Sequence, residues 1–208
     1  FLQKMRWMAV IALLFVETGI GLAQTKVTFD ETNALPKGWE CGITGTGAAK
    51  WEVVADDTAP SRAKVLKQSG EATFCWAAKT DEHIKDGFAE MKFKPISGKE
   101  DQAGGIVFRF KDANNYYIVR ANALEDNYRL YHVVGGKRVQ FAGANFKVAS
   151  GEWHELRAEC VGNHIVCYFD NEKKIDATDD TFKEPGKIGL WTKADSVTYF
   201  DDLHVKAK

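Results

Sequence analysis

The chain has 208 residues, of which 45% are hydrophobic and 12% aromatic, enough for one domain with a well-filled core. Its 28 basic and 29 acidic residues leave a net charge of −1. That balance argues against a nucleic acid or an anionic membrane surface as the partner. The four cysteines include no Cys-x-x-Cys pair, which argues against a zinc site.

The first 24 residues have the layout of a secretory signal. Lys4 and Arg6 precede an apolar run over residues 7–16, and small residues stand before a cleavage point after Ala23. The run is shorter than the roughly 20 apolar residues that a membrane span needs. We therefore predict a signal peptide over residues 1–24, with an uncleaved anchor as the alternative.

The remainder of the chain is predicted to be a single exported domain. Phe1 is not an initiator, so Met5 is the expected start and the first four residues are interpreted as an artefact of the gene model. The mature domain, residues 25–208, is then expected in the periplasm or outside the cell, without a membrane span.

Beyond residue 25 the sequence predicts short strands separated by turns. Apolar or alternating runs of four to ten residues are bounded by Gly, Asn, Asp and Pro. In chain order the predicted strands are Lys26–Phe29, Lys50–Ala55, Ala63–Gln68, Ala72–Ala77, Phe88–Pro95, Gly105–Phe110, Tyr116–Ala121, Tyr128–Val134, Lys137–Ala142, Trp153–Cys160, His164–Asp170, Lys187–Thr192 and Ser196–Val205. No segment keeps a 3.6-residue apolar period over three turns. This pattern predicts an all-β, two-sheet antiparallel sandwich.

One predicted hairpin, GGIVFRFKDANNYYIVR over residues 104–120, places arginines within apolar strands. Pairing Phe110 with Asn115 separates the side chains into two faces. One face then holds Ile106, Phe108, Tyr117 and Val119, and the other holds Val107, Arg109, Tyr116, Ile118 and Arg120. A shift by one residue would bury Arg120 among phenylalanines, so this register is expected.

The next strand extends the arginine-bearing face. Alternation adds Arg129 and Tyr131 to it and Leu130 to the core face. The predicted ligand-binding residues are therefore Arg109, Tyr116, Arg120, Arg129 and Tyr131. Guanidinium groups donate hydrogen bonds to hydroxyls or carboxylates, and tyrosine rings offer stacking surfaces for sugars. The alternative is a solvated face with cross-strand ion pairs.

A second hairpin is predicted around the turn Gly162-Asn163. Its core face would hold Leu156, Ala158, Cys160, Ile165, Cys167 and Phe169. Cys160 and Cys167 flank the turn, so a disulfide is open to them in an oxidising compartment. The other interpretation, which we favour, is that both are small buried thiols.

The strings DQAGGIVFRFKDANNYYIVRANALEDNYRLYHVVGGKR, EWHELRAEC, VCYFDNE and VTYFDDLHV resemble the concanavalin A-like jelly-roll superfamily. The resemblance is greatest to bacterial exported domains of the 3-keto-disaccharide hydrolase type and their laminin-G-like relatives, and it covers residues 25–206. It implies a jelly roll whose concave sheet presents aromatic and polar side chains to a glycan. It also implies a structural calcium ion held by a carboxylate near the last strand and one near the first, here Asp202 and Asp30.

Catalysis stays open because the expected carboxylate motif is missing. Glycosidases on this fold carry Glu-x-Asp-x-Glu or Glu-x-Asp-x-x-Glu on one strand, and no such string is present. Glu155 and Glu159 share a face but lie ~13 Å apart, too far for a retaining pair, with Arg157 between them. Ala103-Gly104-Gly105 also stands where the hydrolases carry Asn-Ser-Gly.

The function predicted from the sequence is therefore the binding of a glycan on the concave sheet. The first alternative is a hydrolase acting on 3-keto-glycosides, and the second is a non-catalytic module for protein interaction or adhesion.

Overall fold

The structure, a computed structural model, describes residues 24–208. The predicted signal peptide lies outside this range except for its last residue. The strands are β1 (Gln24–Val27), β2 (Trp39–Ala48), β3 (Trp51–Ala55), β4 (Lys64–Gln68), β5 (Glu71–Ile84), β6 (Gly87–Ser97), β7 (Ala103–Asp112), β8 (Asn115–Asn122), β9 (Asn127–Val134), β10 (Lys137–Asn145), β11 (His154–Val161), β12 (His164–Phe169), β13 (Glu172–Thr178), β14 (Gly186–Ala194) and β15 (Val197–Ala207). Residues 24–208 contain no helix, and hence none that could cross a membrane.

The strands form two antiparallel sheets. Sheet A has eight strands in the order β13-β12-β11-β6-β15-β4-β3, with β1 paired to β15. Sheet B has seven strands in the order β10-β9-β8-β7-β14-β5-β2. Chain neighbours such as β6 and β7 lie in different sheets, which is the connectivity of a jelly roll. The predicted two-sheet sandwich is confirmed.

The main core lies between the sheets and is built from alternate residues of each strand. Phe93 and Phe200 from sheet A and Tyr117 and Tyr128 from sheet B are all fully buried there. Burial of one such side chain contributes roughly 1.5–3 kcal/mol. The hairpin around Gly162-Asn163 has the predicted register, so its apolar face completes this core.

Two strands were not predicted. β2 contains three glycines, Gly42, Gly45 and Gly47, and shows no clear alternation of apolar residues. Gly42 is required there because a Cβ would lie 2.5 Å from Cζ2 of Trp76 on the neighbouring strand. β13 is a polar edge strand with one buried apolar residue, Ile175, and gives little periodic signal.

Sheet B curls strongly over its outer face, the face turned away from sheet A. Arg138 on the edge strand β10 lies 4.9 Å from the ring centroid of Phe74 on β5, five strands away. Thr44 on the opposite edge strand hydrogen-bonds the Tyr116 hydroxyl at 2.9 Å. The curl encloses a second apolar cluster, here called the outer cluster: Phe74, Trp76, Val107, Phe110, Tyr116, Ile118, Tyr131, Val133 and Trp191. The concave face is therefore filled by its own side chains.

All four cysteines are free, and three of them, Cys75, Cys160 and Cys167, are buried. The interpretation of Cys160 and Cys167 as buried thiols is confirmed. In the hairpin register Cys160 pairs with Ile165 and Cys167 with Ala158, so the two cysteines do not oppose each other.

Candidate functional site

The structure brings together only part of the predicted ligand-binding face. Arg120 and Tyr131 are in direct contact, with Arg120 Nη2 donating to the tyrosine hydroxyl at 3.0 Å. Tyr116 lies on the same face but has no exposed surface, and its hydroxyl interacts with Thr44 and with Trp191 Nε1. The predicted stacking of a sugar on the Tyr116 ring does not fit this arrangement.

The placement of Arg109 on this face is wrong. The predicted register holds from Ala103 to Phe108, but a bulge follows, and Arg109 itself adopts φ 44°. The bulge turns its side chain toward the end of the sandwich, where Nε and Nη2 donate to the Lys85 carbonyl at 3.1 and 2.9 Å. The other bonds go to the carbonyls of Phe182 and Gly162, each at 2.6 Å. Arg109 joins three loops and is 3% exposed.

Arg129 pairs with Arg120 in the β8–β9 register and shares its face, but its guanidinium lies along the sheet edge. It donates to the Ala144 carbonyl at 2.7 Å and to Asn145 Oδ1 at 2.5 Å, both on β10. These bonds fasten the edge strand. The guanidinium groups of Arg109 and Arg129 are thus both bonded to other parts of the fold rather than to the partners of Arg120.

Arg120 is the centre of a small polar group on the outer face of sheet B. Its Nη1 donates to Asn127 and its Nη2 to Glu125 at 2.9 Å. Burial raises the pKa of Glu125, but the Asn127 amide and the Arg120 charge outweigh it and hold that pKa below its ordinary value. Gly105 lies opposite Arg120, where a Cβ would come within 2.8 Å of the arginine Cβ. The glycine therefore gives the arginine its space.

Arg138 approaches the same group from β10. Its guanidinium carbon lies 4.3 Å from the centroid of Tyr131 and 5.7 Å from that of Trp191, in addition to its contact with Phe74. A guanidinium over aromatic faces is stabilised by cation–π attraction. Burial lowers the pKa of Arg138 from its ordinary value, although arginine stays charged at physiological pH. We call Arg120, Glu125, Asn127, Tyr131 and Arg138 the arginine cluster.

Hydrogen-bond donors without acceptors concentrate around this cluster. Among residues 24–208, five buried side-chain atoms have no partner in the protein, and three of them lie on the outer face of sheet B: Trp76 Nε1, Arg120 Nε and Arg138 Nη1. Leaving a buried donor unpaired costs roughly 1–3 kcal/mol. A ligand that brings acceptor oxygens would recover that cost.

A polar rim continues from the cluster toward the start of β7. Lys193 donates to Asp101, which is 1% exposed and also accepts from Asn122 at 2.5 Å. Lys193 also lines a trough of about 490 Å³ with Glu71 and Glu100. No cluster residue lines this trough; the connection runs through Asn122, which pairs with Asn127 of the cluster in the β8–β9 register.

Arg138, Trp76 and Glu125 were not predicted as site residues. Arg138 carried a usable signal: the two-residue turn Gly135-Gly136 places it opposite Val133, and therefore on the same face as Tyr131. The contribution of Trp76 depends on the curl of sheet B, for which the sequence offers no comparable signal.

The outer face of sheet A differs in character. Arg157 donates to Glu159 at 2.9 Å and to Glu90 at 3.3 Å, and its guanidinium lies 3.8 Å from the ring centroid of Phe88. Arg157 forms ion pairs with Glu90 and Glu159 but none with Glu155. Burial, with the nearby charge of Glu90, raises the pKa of Glu155.

The two residues predicted to bind calcium have other partners. Asp30 Oδ1 accepts the backbone N–H groups of Ala63 and Lys64 at 2.9 and 3.1 Å, and Asp202 forms an ion pair with Lys92 at 3.3 Å. Within residues 24–208 no group of three or more His, Cys, Asp or Glu side chains could hold a metal ion. Calcium binding at Asp30 and Asp202 stays a prediction.

Fold and site together define a jelly-roll sandwich of the concanavalin A-like class. The family model of the 3-keto-alpha-glucoside-1,2-lyase-like domain matches residues 24–206, and the chain belongs to that family. No curated protein matches in a sequence comparison.

Solved structures share the fold at low sequence identity. A carbohydrate-binding module, CBM66 from Bacillus subtilis, is similar with a TM-score of 0.64 and 21% identity, covering 81% of this chain and 95% of the module. A Bacteroides ovatus mixed-linkage-glucan GH16 protein in complex with product has a TM-score of 0.63 at 11% identity, with 87% and 99% covered. The Bacillus licheniformis β-glucanase has a TM-score of 0.55 at 13% identity, with 92% and 100% covered. These similarities show that the chain shares the jelly-roll fold of these proteins.

Proposed function

We propose that the domain binds a carbohydrate at the arginine cluster. The observation that carries this proposal is the concentration of unpartnered buried donors, Arg120 Nε and Arg138 Nη1 above all. Sugars present many acceptor oxygens, and a guanidinium can donate to two of them at once. The similarity to a carbohydrate-binding module supports the proposal.

The arrangement suggests how a sugar is held. Arg138 covers the rings of Tyr131 and Trp191, so a ligand first meets the guanidinium groups rather than an open aromatic platform. Glu125, about half exposed at the edge of the cluster, adds an acceptor for sugar hydroxyls. Hydrogen bonds then determine the orientation of the bound sugar and contribute most of its affinity.

Binding variants test this assignment. A glycan array on the full chain, followed by calorimetry with the best ligand, should show at least a tenfold loss of affinity in Arg138→Met and in Arg120→Lys. The matched control is Arg157→Met on the outer face of sheet A, which should bind normally. Binding that survives both cluster substitutions, or that is lost in the control, would remove the arginine cluster from the proposal.

We also propose that the domain is exported. The basic Arg6 and the apolar run of residues 7–16 support it, because a domain that recognises an external glycan needs access to it. Cell fractionation with N-terminal sequencing of the exported product should find cleavage after Ala23; retention of the intact chain in the cytosol would contradict export.

A second candidate function, action on a 3-keto-glycoside, is favoured by a cavity of about 230 Å³ on the outer face of sheet A. Glu90, Glu155 and His204 line it. Burial raises the pKa of Glu155 and lowers that of His204, which moves both groups toward neutrality. Such a pair can divide the roles of general acid and base.

The chemistry named by the family requires such a pair. A ketone at C3 acidifies the C2 proton, so a base removes it, the C2–H electrons form the C1–C2 double bond, and the C1–O bond breaks. The leaving oxygen then takes a proton from the acid. Turnover of a 3-keto-glucoside that falls at least a hundredfold in Glu155→Gln and in His204→Asn, but not in Glu159→Gln, would support this candidate. Unchanged turnover in the first two would exclude the cavity.

A further inference from the structure

The charges of the arginine cluster do not balance. Arg120 is paired with Glu125 at 2.9 Å, and Lys193 is paired with Asp101. The side chain of Arg138 forms no salt bridge and no hydrogen bond within residues 24–208. Lys193 also lies 3.9 Å from Glu100, whereas Arg138 has no carboxylate within salt-bridge distance in the described chain and interacts with Asp101 and Glu125 only over a longer range.

Aromatic rings hold Arg138 in place without neutralising it. Its guanidinium lies 4.3 Å from the centroid of Tyr131, and the guanidinium of Arg120 lies 5.7 Å from the same ring. The two arginines are thus neighbours around one tyrosine. Rings supply a quadrupole, which attracts the cation but leaves the full charge uncompensated.

The unpartnered groups also share one polarity. Arg120 Nε and Arg138 Nη1 are donors, and neither can accept a hydrogen bond. A hydroxyl would satisfy such a donor while introducing a donor of its own. A carboxylate only accepts, carries the missing negative charge, and matches the planar fork of a guanidinium with two parallel bonds.

We propose that the ligand of the arginine cluster is an acidic glycan, in which the carboxylate of a uronic acid residue pairs with Arg138 and accepts from Arg120. This inference rests on the proposed carbohydrate binding and specifies its ligand class. The carboxylate occupies the position of the absent counter-ion, and the sugar ring extends toward the trough beside Lys193.

The experiment compares charged and uncharged forms of the same sugars. Calorimetry on the full chain uses oligogalacturonate, oligoglucuronate and oligomannuronate, each against its methyl ester, together with neutral glucans and sulfated oligosaccharides. At least one acid should bind tenfold or more tightly than its ester, and its affinity should fall as salt rises. Arg138→Gln should abolish the difference between acid and ester, whereas Arg138→Lys should retain part of it. Thermal melting checks that both variants fold.

The outcomes separate the two proposals. An ester or a neutral glucan that binds as well as the acids would overturn the acidic ligand and leave carbohydrate binding intact. If only the sulfated oligosaccharides bind, the assignment of a carboxylate as the ligand group is wrong. Failure of every sugar to bind would overturn both proposals together.

Discussion

Two arginines on sheet B, the buried Arg109 and the half-buried Arg138, lie in opposite environments. Arg109 finds carbonyl acceptors on three loops and a carboxylate at 3.4 Å on Asp86, so its donors are satisfied within the fold. Arg138 lies on aromatic rings and finds no acceptor in residues 24–208. A buried arginine whose donors are filled stabilises the fold, whereas one whose donors are empty is available to a ligand. Arg120 is intermediate, with two nitrogens bound and one free.

The largest effect is expected when the satisfied arginine is removed. Arg109→Met should lower the free energy of unfolding by about 3 kcal/mol or more, because the carbonyls of Lys85, Phe182 and Gly162 lose their donors in a buried setting. Urea denaturation of the variant measures it. The same substitution at the surface residue Arg157 should cost less than about 1 kcal/mol. Equal losses at Arg109 and Arg157 would contradict the assignment of Arg109 as a clamp.

An intermediate effect is expected at Arg120. Arg120→Met should destabilise by about 1–3 kcal/mol, because Asn127 and the Tyr131 hydroxyl lose a donor while Glu125 can turn to solvent. Denaturation under the same conditions ranks it between Arg109→Met and the near-neutral Arg138→Met. A cost at Arg138 as large as at Arg109 would mean that the outer cluster needs its cation for folding.

The smallest effect concerns pH on the outer face of sheet A. The pKa of Glu155 is raised in the folded state above its ordinary value of 4.5, so the charged form weakens the fold at pH 7, and this loss disappears as the pH falls below 4.5. Glu155→Gln should therefore stabilise the domain by a few tenths of a kcal/mol at pH 7 and by nothing near pH 4. Thermal melts at both pH values measure the difference.

Glu159→Gln is the matched control for that measurement. Because Glu159 pairs with Arg157, its loss should destabilise slightly at pH 7, opposite in sign to Glu155→Gln. If both substitutions change the stability at pH 7 in the same direction, the two glutamates do not differ in the way that the ion pairs indicate.

The sequence predicts the fold well because alternation and turns are local properties. The two-residue turns at Gly162-Asn163 and Gly135-Gly136 fix the register of their hairpins, and the structure has those registers. The predicted position of Arg109 is wrong because a bulge after Phe108 interrupts the alternation of side chains. No residue type in this stretch predicts the bulge. A single irregular step was enough to move one predicted site residue to another surface.

The composition of the site was harder to predict than its location. The register alone predicts that Arg120 and Tyr131 share a face of sheet B. Their proximity to Trp76, Phe74 and Arg138 depends on how far that sheet curls. Curling is a property of the whole sheet, set by twist and by positions such as Gly42 where a side chain would clash. The alternation of side chains along paired strands does not predict that curvature.

The clamp at Arg109 has a consequence for how such domains can diverge. The Arg109 guanidinium donates hydrogen bonds to the turns near Lys85 and Gly162 and to the segment at Phe182. It therefore fixes the positions of these three segments relative to one another. An insertion in any of these turns would shift one acceptor away from a shared donor, so their lengths are tied together. At the opposite end of the sandwich the buried Gln68 amide connects the turns at Lys50, Gly70 and Ser196 in the same way, so the loop lengths are coupled at both ends.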